Sequence, residues 1–385
     1  MRESPPLVVL ILGGAAERWD CPADESPLAL ANPRHLDRLA REGRVFGVQL
    51  VESEAEAYSA APLLAILGYD PETVETARAS YYAALHEEAL AGEECFCSAT
   101  FLTLFRNLVA DVDPGPLRSA ETAVLVRDAD AAMRRAGFRL LRGAGARHLA
   151  VAPRASVDPE TAAPPLLLGR AVEEFAPRIA QHAFAHRLAK EALDGHEVNE
   201  VRRDLGGNGA DAVWLWGPGG APALPAGRWE FPVSALGTDL LLRGICKAAG
   251  ITMRVPNART PTGLLRGLGQ ALKRDRVTVL YARRGVRDAL MRERKLRAEG
   301  IADLDRHLVG PVARMVKSAG ARLLVLADTA RDSRQGHALS DPVPALLWGA
   351  GVEALTHRPF TEAGAAGAGE ALAPGHGLLA YVRHL

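Results

Sequence analysis

His182 and His186 stand four residues apart in a stretch of helical periodicity, which puts both imidazoles on one helix face. Zinc-binding helices use this spacing, but zinc needs further ligands. Neither a third ligand nor a glutamate beside His182 accompanies the pair, so a place in the core or at a hinge is the favoured reading. Cys95 and Cys97 flank Phe96 in an alternating stretch and so point to one face of a strand. Two thiolates there would begin a soft-metal site that lacks its other ligands nearby in the sequence. Arg283, Arg284 and Arg287 crowd one short loop. Guanidiniums at that density either coat a solvated face or converge on a phosphate or carboxylate. Glu17, Asp20 and Asp24 place three carboxylates just beyond an apolar run, within reach of whatever lies at its end. Trp214 and Trp216 alternate along another strand and read as packing residues.

The elements that must position these groups follow from hydrophobic pattern and turn chemistry. Leu7 to Leu12 is a continuous apolar run, as in a strand covered on both faces. Gly13-Gly14-Ala15-Ala16 turns the chain at its C-terminal end, where open α/β sheets place ligands; the glycine spacing is not that of a dinucleotide-binding turn. Asn32 is the expected cap of a helix with Leu36, Leu39 and Ala40 on its inner face, ended by Gly43. A second strand is expected over Val45–Val51 and a helix over Ala60–Leu67, stopped by Gly68. From about Glu94 the texture changes. Strands are expected at Phe96–Leu104 and His148–Ala152, with a helix near Ala129–Ala136 and turns at Asp111–Pro116 and Asp158–Pro165. A long helix over Ala171–Leu193 then leads to strands at Ala212–Trp216, Val277–Tyr281, Arg322–Ala327 and Pro344–Trp348. This alternation predicts an α/β core with a largely parallel sheet and helices on both faces, from residues 1–90 and 190–385. Residues 91–189 read as an inserted α+β cap, and the Ala/Gly-rich Glu362–Pro374 as a loose surface segment.

Composition narrows the function classes. Apolar residues make up 48% of the 385, enough for a sizeable core. Lys plus Arg and Asp plus Glu are both 46, so no excess positive charge points to nucleic acid or an acidic membrane. Arg far outnumbers Lys. The first apolar run is too short to span a bilayer, and Pro5 and Pro6 precede it without the pattern of a secretion signal. Four cysteines are too few for a disulfide framework in a chain of this size, so a reducing cytoplasm is expected.

Three separated segments carry a resemblance. Ser26-Pro27-Leu28 through Leu36-Asp37-Arg38-Leu39-Ala40-Arg41-Glu42-Gly43, then Leu67-Gly68-Tyr69-Asp70-Pro71, then Ser340-Asp341-Pro342-Val343-Pro344 resemble, in order and spacing, the archaeal-type cofactor-independent phosphoglycerate mutases of the alkaline phosphatase superfamily. The resemblance implies an alkaline-phosphatase-like core with an inserted cap. It also implies two divalent metals, manganese or zinc, that activate a serine for phosphoryl transfer. Counting back from Leu67 puts that serine at Ser59, and two metal ligands fall on Asp328 and His337. The other expected ligands are replaced. Gly13 stands where an aspartate is implied, and the loop Tyr281-Ala282-Arg283-Arg284-Gly285-Val286-Arg287-Asp288 has lost its Asp and His. Arg78 matches a substrate contact, while Cys97 stands where an arginine is implied. Arg202 and Arg203, in His196-Glu197-Val198-Asn199-Glu200-Val201-Arg202-Arg203, match the family at the return from cap to core, as an anion clamp or as hinge structure. Arg284 is the expected guanidinium in the vacated metal space. The resulting expectation is a diverged, non-catalytic, anion-binding or regulatory protein without a cofactor. It would bind a small phosphorylated or carboxylate ligand, and pair with itself or with a catalytic paralogue. The alternative is an active mutase interconverting 2- and 3-phosphoglycerate, or a related phosphate-ester enzyme, working through Ser59 with two metals.

Overall fold

The computed structural model describes residues 4–225, 229, 231–255, 261–283, 293–355 and 358–384. The chain divides into two compact units, residues 1–74 with 224–385, and residues 75–223. In chain order the first unit begins with strands β1 (Leu7–Gly13) and β2 (Arg44–Val48). The second holds β3 (Glu94–Phe105), β4 (Leu108–Asp111), β5 (Arg139–Ala144), β6 (Arg147–Pro153) and β7 (Ala212–Gly219). The first unit resumes with β8 (Val233–Leu236), β9 (Thr252–Arg254), β10 (Val277–Arg283), β11 (Arg322–Leu326), β12 (Ala330–Arg331), β13 (Ala338–Leu339) and β14 (Val343–Gly349).

The seven-stranded sheet of the first unit runs β2-β14-β11-β1-β10-β8-β9. β1 is central and parallel to both neighbours, aligning Leu7 with Val277 and with Arg322. Every residue of β1 is buried, so the uninterrupted apolar run is what a doubly covered strand requires. β14 and β2 add an antiparallel edge, which leaves the sheet largely parallel. The α/β class read from the sequence is the class observed.

The second unit is an antiparallel sheet in which the long β3 pairs with β4, β6 and β7. Helices Ser119–Met133 and Ala180–Leu193 contribute Leu125, Ala129, Ala185 and Leu188 to its core, beside Cys95, Cys97 and Phe101 of β3. Ala212–Trp216 was expected in the core sheet; instead β7 lies antiparallel to β3, Trp214 opposite Thr100. An apolar run identifies a buried strand and not the sheet that buries it. The expected long helix over Ala171–Leu193 is two elements, a 3-10 turn at Val172–Phe175 and the helix Ala180–Leu193. Pro177 between them disfavours helical backbone at the residue before it.

Helix Arg34–Glu42 is capped from a distance. Asn32 takes a left-handed φ of 46° and supplies no cap; the carboxylate of Asp305 accepts the His35 and Leu36 amides, both at 2.9 Å. Asp305 begins a π-helical turn, Asp305–Val309, between helices Arg294–Leu304 and Gly310–Ser318. A negative charge on exposed first-turn amides is stabilising on both hydrogen-bonding and dipole grounds. Asp305→Ala is therefore expected to destabilise the protein by about 1–2 kcal/mol in urea unfolding. A loss under a few tenths of a kcal/mol would show that the cap contributes little.

Candidate functional site

At the C-terminal end of β1 the chain turns through Gly14, whose φ of 76° is a left-handed backbone favouring glycine. The turn directs the Gly14 amide to the Asp328 carboxylate at 2.9 Å and its carbonyl to Nε of Arg297 at 2.7 Å. Arg297 sits in the first turn of helix Arg294–Leu304 and is completely enclosed. Its guanidinium gathers four hydrogen-bond partners besides Gly14. Nη1 donates to Glu17 Oε2 (2.8 Å), Ser333 Oγ (3.0 Å) and the Arg331 carbonyl (3.3 Å); Nη2 donates to the Ala16 carbonyl.

Two carboxylates answer this buried cation. Glu17 also accepts the Ser333 amide at 2.9 Å and the Ser333 hydroxyl. Glu362, fully buried, accepts the Glu17 amide at 2.8 Å and the Ser26 hydroxyl at 2.6 Å. Ser26 in turn caps the short helix Pro27–Leu30. Burial pulls the Arg297 pKa down and the Glu17 charge opposes it; burial pushes the Glu362 pKa up, against hydrogen bonds from the Glu17 amide and Ser26. The segment expected to be loose surface is thus anchored: Thr361 caps helix Glu362–Ala366, and Glu362 is part of the buried centre. Its small residues fit there because the helix packs closely.

Of the residues singled out in the sequence, Glu17 and Asp328 reach this centre. One Asp328 oxygen accepts the Gly14 and Thr329 amides, each at 2.9 Å, and the other the Tyr281 hydroxyl at 2.7 Å. Ser59 stands at the start of helix Ala61–Ile66, donating to the Glu56 carbonyl at 2.8 Å and accepting the Ala61 amide at 3.0 Å. That is helix-entry geometry. Its neighbour Tyr58 accepts the Ala338 amide at 2.9 Å, which brings the Ser59 turn beside β13 and the turn holding His337. The His337 carbonyl accepts the Asp332 amide at 3.0 Å. Arg78 opens helix Arg78–His86 in the other unit. Arg284, Arg287 and Asp288 lie outside the described residues.

Arg202 and Arg203 do not form an open anion clamp. Arg202 is buried and organises a loop, donating to the carbonyls of Asn208 (2.8 Å), Pro114 (2.8 Å) and Pro116 (3.1 Å) and to Glu121 (3.0 Å). Arg203 is paired with Asp211, which also holds the Leu104 amide. Both guanidiniums serve the second unit's own structure. His182 is buried beside Phe138 and His186, the half-buried His186 packs on Trp214, and Cys95 and Cys97 are buried in that unit's core.

The two-metal centre implied by the resemblance fits these donors poorly. Gly13 offers no side-chain ligand. Both Asp328 oxygens are committed to donors, and Glu17 is committed to Ser333 and to Arg297. Among the described residues no three His, Cys, Asp or Glu side chains are grouped as a metal-ligand set. Arg297 was missed in the sequence because it sits in a run of charged residues. Its spacing from Ile301 and Leu304 was the available signal, since it places an arginine on the helix's inner face. Arg297→Ala would leave Glu17 buried without its partner, so a loss of about 3–5 kcal/mol is expected in chemical denaturation. The paired Arg297→Met, Glu17→Met variant should recover part of that loss. Equal losses for single and paired variants would show that the two groups are not coupled.

The comparisons agree with the geometry of the fold. The model of a family described as 2,3-bisphosphoglycerate-independent phosphoglycerate mutase matches residues 40–199. A protein of that name from Methanothrix thermoacetophila is 28% identical over 96% of this chain and 98% of its own length. Another from Methanosarcina mazei is 28% identical over 83% of this chain and 84% of its own. Among solved structures, the PH0037 protein from Pyrococcus horikoshii superposes with a TM-score of 0.71 at 21% identity, covering 99% of this chain and 97% of that one. The cofactor-independent phosphoglycerate mutase from Thermoplasma acidophilum gives 0.55 at 17% identity, covering 99% of both chains. Over nearly its whole length this chain is therefore similar to proteins named 2,3-bisphosphoglycerate-independent phosphoglycerate mutase.

Proposed function

We propose that this protein does not perform two-metal phosphoryl transfer and acts as a non-catalytic, binding or regulatory member of its family. The observation that carries this reading is the enclosed Arg297 guanidinium at the end of β1, bonded to Gly14, Ala16 and Glu17. A guanidinium supplies fixed positive charge, but it stays protonated and has no open coordination position. It neither lowers the pKa of a bound hydroxyl as a metal does nor accepts a proton from it. The Ser59 hydroxyl donates to the Glu56 carbonyl and accepts the Ala61 amide, the bonds of a residue at a helix entry. A small phosphorylated or carboxylate ligand remains the chemistry that the family relationship favours.

The second reading is an active mutase, and a specific observation favours it: relatives matched over nearly their full length carry that name. It requires ligands recruited from segments such as the Arg284–Asp288 loop.

Interconversion of 2- and 3-phosphoglycerate, measured with added manganese or zinc on wild type and Ser59→Ala, separates the two readings. The proposal expects both proteins to stay at background. Turnover in wild type that Ser59→Ala abolishes would establish the mutase reading. Equal turnover in both would contradict the proposal and remove Ser59 from the mechanism.

A further inference from the structure

Two buried histidines of the second unit, His148 and His182, and the half-buried His186 share one arrangement. Each uses a ring nitrogen to accept a backbone N–H that ties two elements together. His148 of β6 accepts the Gly143 amide of β5 through Nδ1 at 3.1 Å. His182, on helix Ala180–Leu193, accepts the Asp158 amide through Nδ1 at 3.1 Å. His186, one turn further along, accepts the Leu215 amide of β7 through Nε2 at 2.9 Å. Among the described residues β7 pairs with β3 alone, and the Leu215 amide that His186 accepts lies on the strand's other edge. The His182 and His186 rings lie 4.6 Å apart, with Trp214 at 4.5 Å from His186 and Phe138 stacked on His182 at 5.8 Å. His148 lies 4.4 Å from the Phe101 ring. Nε2 of His148 and of His182 has no hydrogen-bond partner among the described residues.

We infer that the second unit is an acid-sensitive module, in which protonation of His148, His182 and His186 releases helix Ala180–Leu193 from β7 and loosens the β5–β6 hairpin. A proton on any accepting nitrogen turns an acceptor into a donor facing another donor, which breaks the bond to the backbone. It also places charge in an apolar site, and on His182 and His186 it places two like charges side by side.

The surrounding charges do not offset this. His148 faces His86 and Arg142, both of which work against protonation. His182 faces Asp158, the one carboxylate that favours its charge, and the Asp158 oxygens are held by the Arg178 and Glu160 amides. Arg187 and Lys190 of the same helix turn outward to Glu191 and Glu173. His196, elsewhere in the unit, faces the Asp128 carboxylate at 3.1 Å and stands outside the set. Burial accordingly lowers the pKa of His148 to about 3 and of His182 to about 4, and that of His186 well below the usual value.

The sign follows from linkage. An unfolded histidine titrates near about 6.5. Below that pH the open form binds protons that the closed form excludes, so stability falls as pH drops towards the folded values. Each such histidine multiplies the opening constant by about tenfold per pH unit, and three by about a thousandfold.

Amide hydrogen exchange at Gly143, Asp158 and Leu215, corrected for intrinsic rates and followed in the full-length protein from pH 7 to 5, reads this opening. The expected result is a steep rise towards that thousandfold limit. In a His182→Gln, His186→Gln variant, whose carboxamide oxygens still accept the amides, the dependence should fall to about tenfold per unit. An unchanged dependence in the variant would overturn the inference. Should the variant fail to fold, nitrogen-15 spectra of wild type provide an independent test. His148 and His182 should remain neutral with the proton on Nε2, and His186 with the proton on Nδ1, down to pH 5. Titration of these rings near pH 6.5 in the folded protein would overturn it equally.

Discussion

A full positive charge enclosed at the end of the central strand is the constraint around which the first unit is arranged. Removing a guanidinium from water is costly unless its donors all find acceptors and an opposite charge lies close. Arg297 meets that demand by drawing Gly14, Ala16, Glu17, Arg331 and Ser333 onto itself from segments more than 300 residues apart in sequence. The buried Glu17 then needs its own donors, and Glu362 follows by accepting the Glu17 amide and Ser26. One ion pair thus ties together the turn after β1, the start of the helix Pro27–Leu30, the turn after β12 and the helix Glu362–Ala366.

The same device recurs. Arg202 collects three carbonyls and Glu121 in the second unit. Arg322, at the start of β11, reaches the Ala350 carbonyl at 2.9 Å and the Val382 carbonyl at 2.8 Å, near the end of helix Leu378–His384. A cation is favourable at such a helix end. A planar fork of five donors suits these sites in a way that a lysine ammonium does not. The excess of arginine over lysine therefore has a structural use at these positions. It has such a use at the end of β1 as well, the place where open α/β sheets put ligands. The side chains there are committed to one another.

Much of the scaffold was legible in the sequence because it rests on local signals. The apolar run Leu7–Leu12 and the punctuation by Gly43 and Gly68 yielded the central strand and two helices. The interrupted α/β pattern yielded the class of fold. What escaped depended on partners remote in sequence. Nothing near Asn32 indicates that Asp305 caps the helix after it, and nothing in Ala212–Trp216 names β3 as its neighbour. Glu362 opens a segment of small residues that reads as a surface loop until Ser26 and the Glu17 amide are seen to converge on it. The site divided in the same way. Asp328 was singled out in the sequence and lies at the end of β1. Arg297 was not, because its charge disguised its inward position on helix Arg294–Leu304. Arg202 and Arg203 have the right chemistry for an anion, but the carbonyls of Pro114, Pro116 and Asn208 and the carboxylate of Asp211 already hold them.

The proposed reading turns on an internal guanidinium standing at the end of β1 where the resemblance implies divalent cations. Elemental analysis of the full-length protein, after incubation with manganese and zinc and removal of excess metal, tests it most directly. The account predicts far less than one equivalent of either metal. Two equivalents retained per chain would contradict it and show that the ligand set has been rebuilt around Arg297.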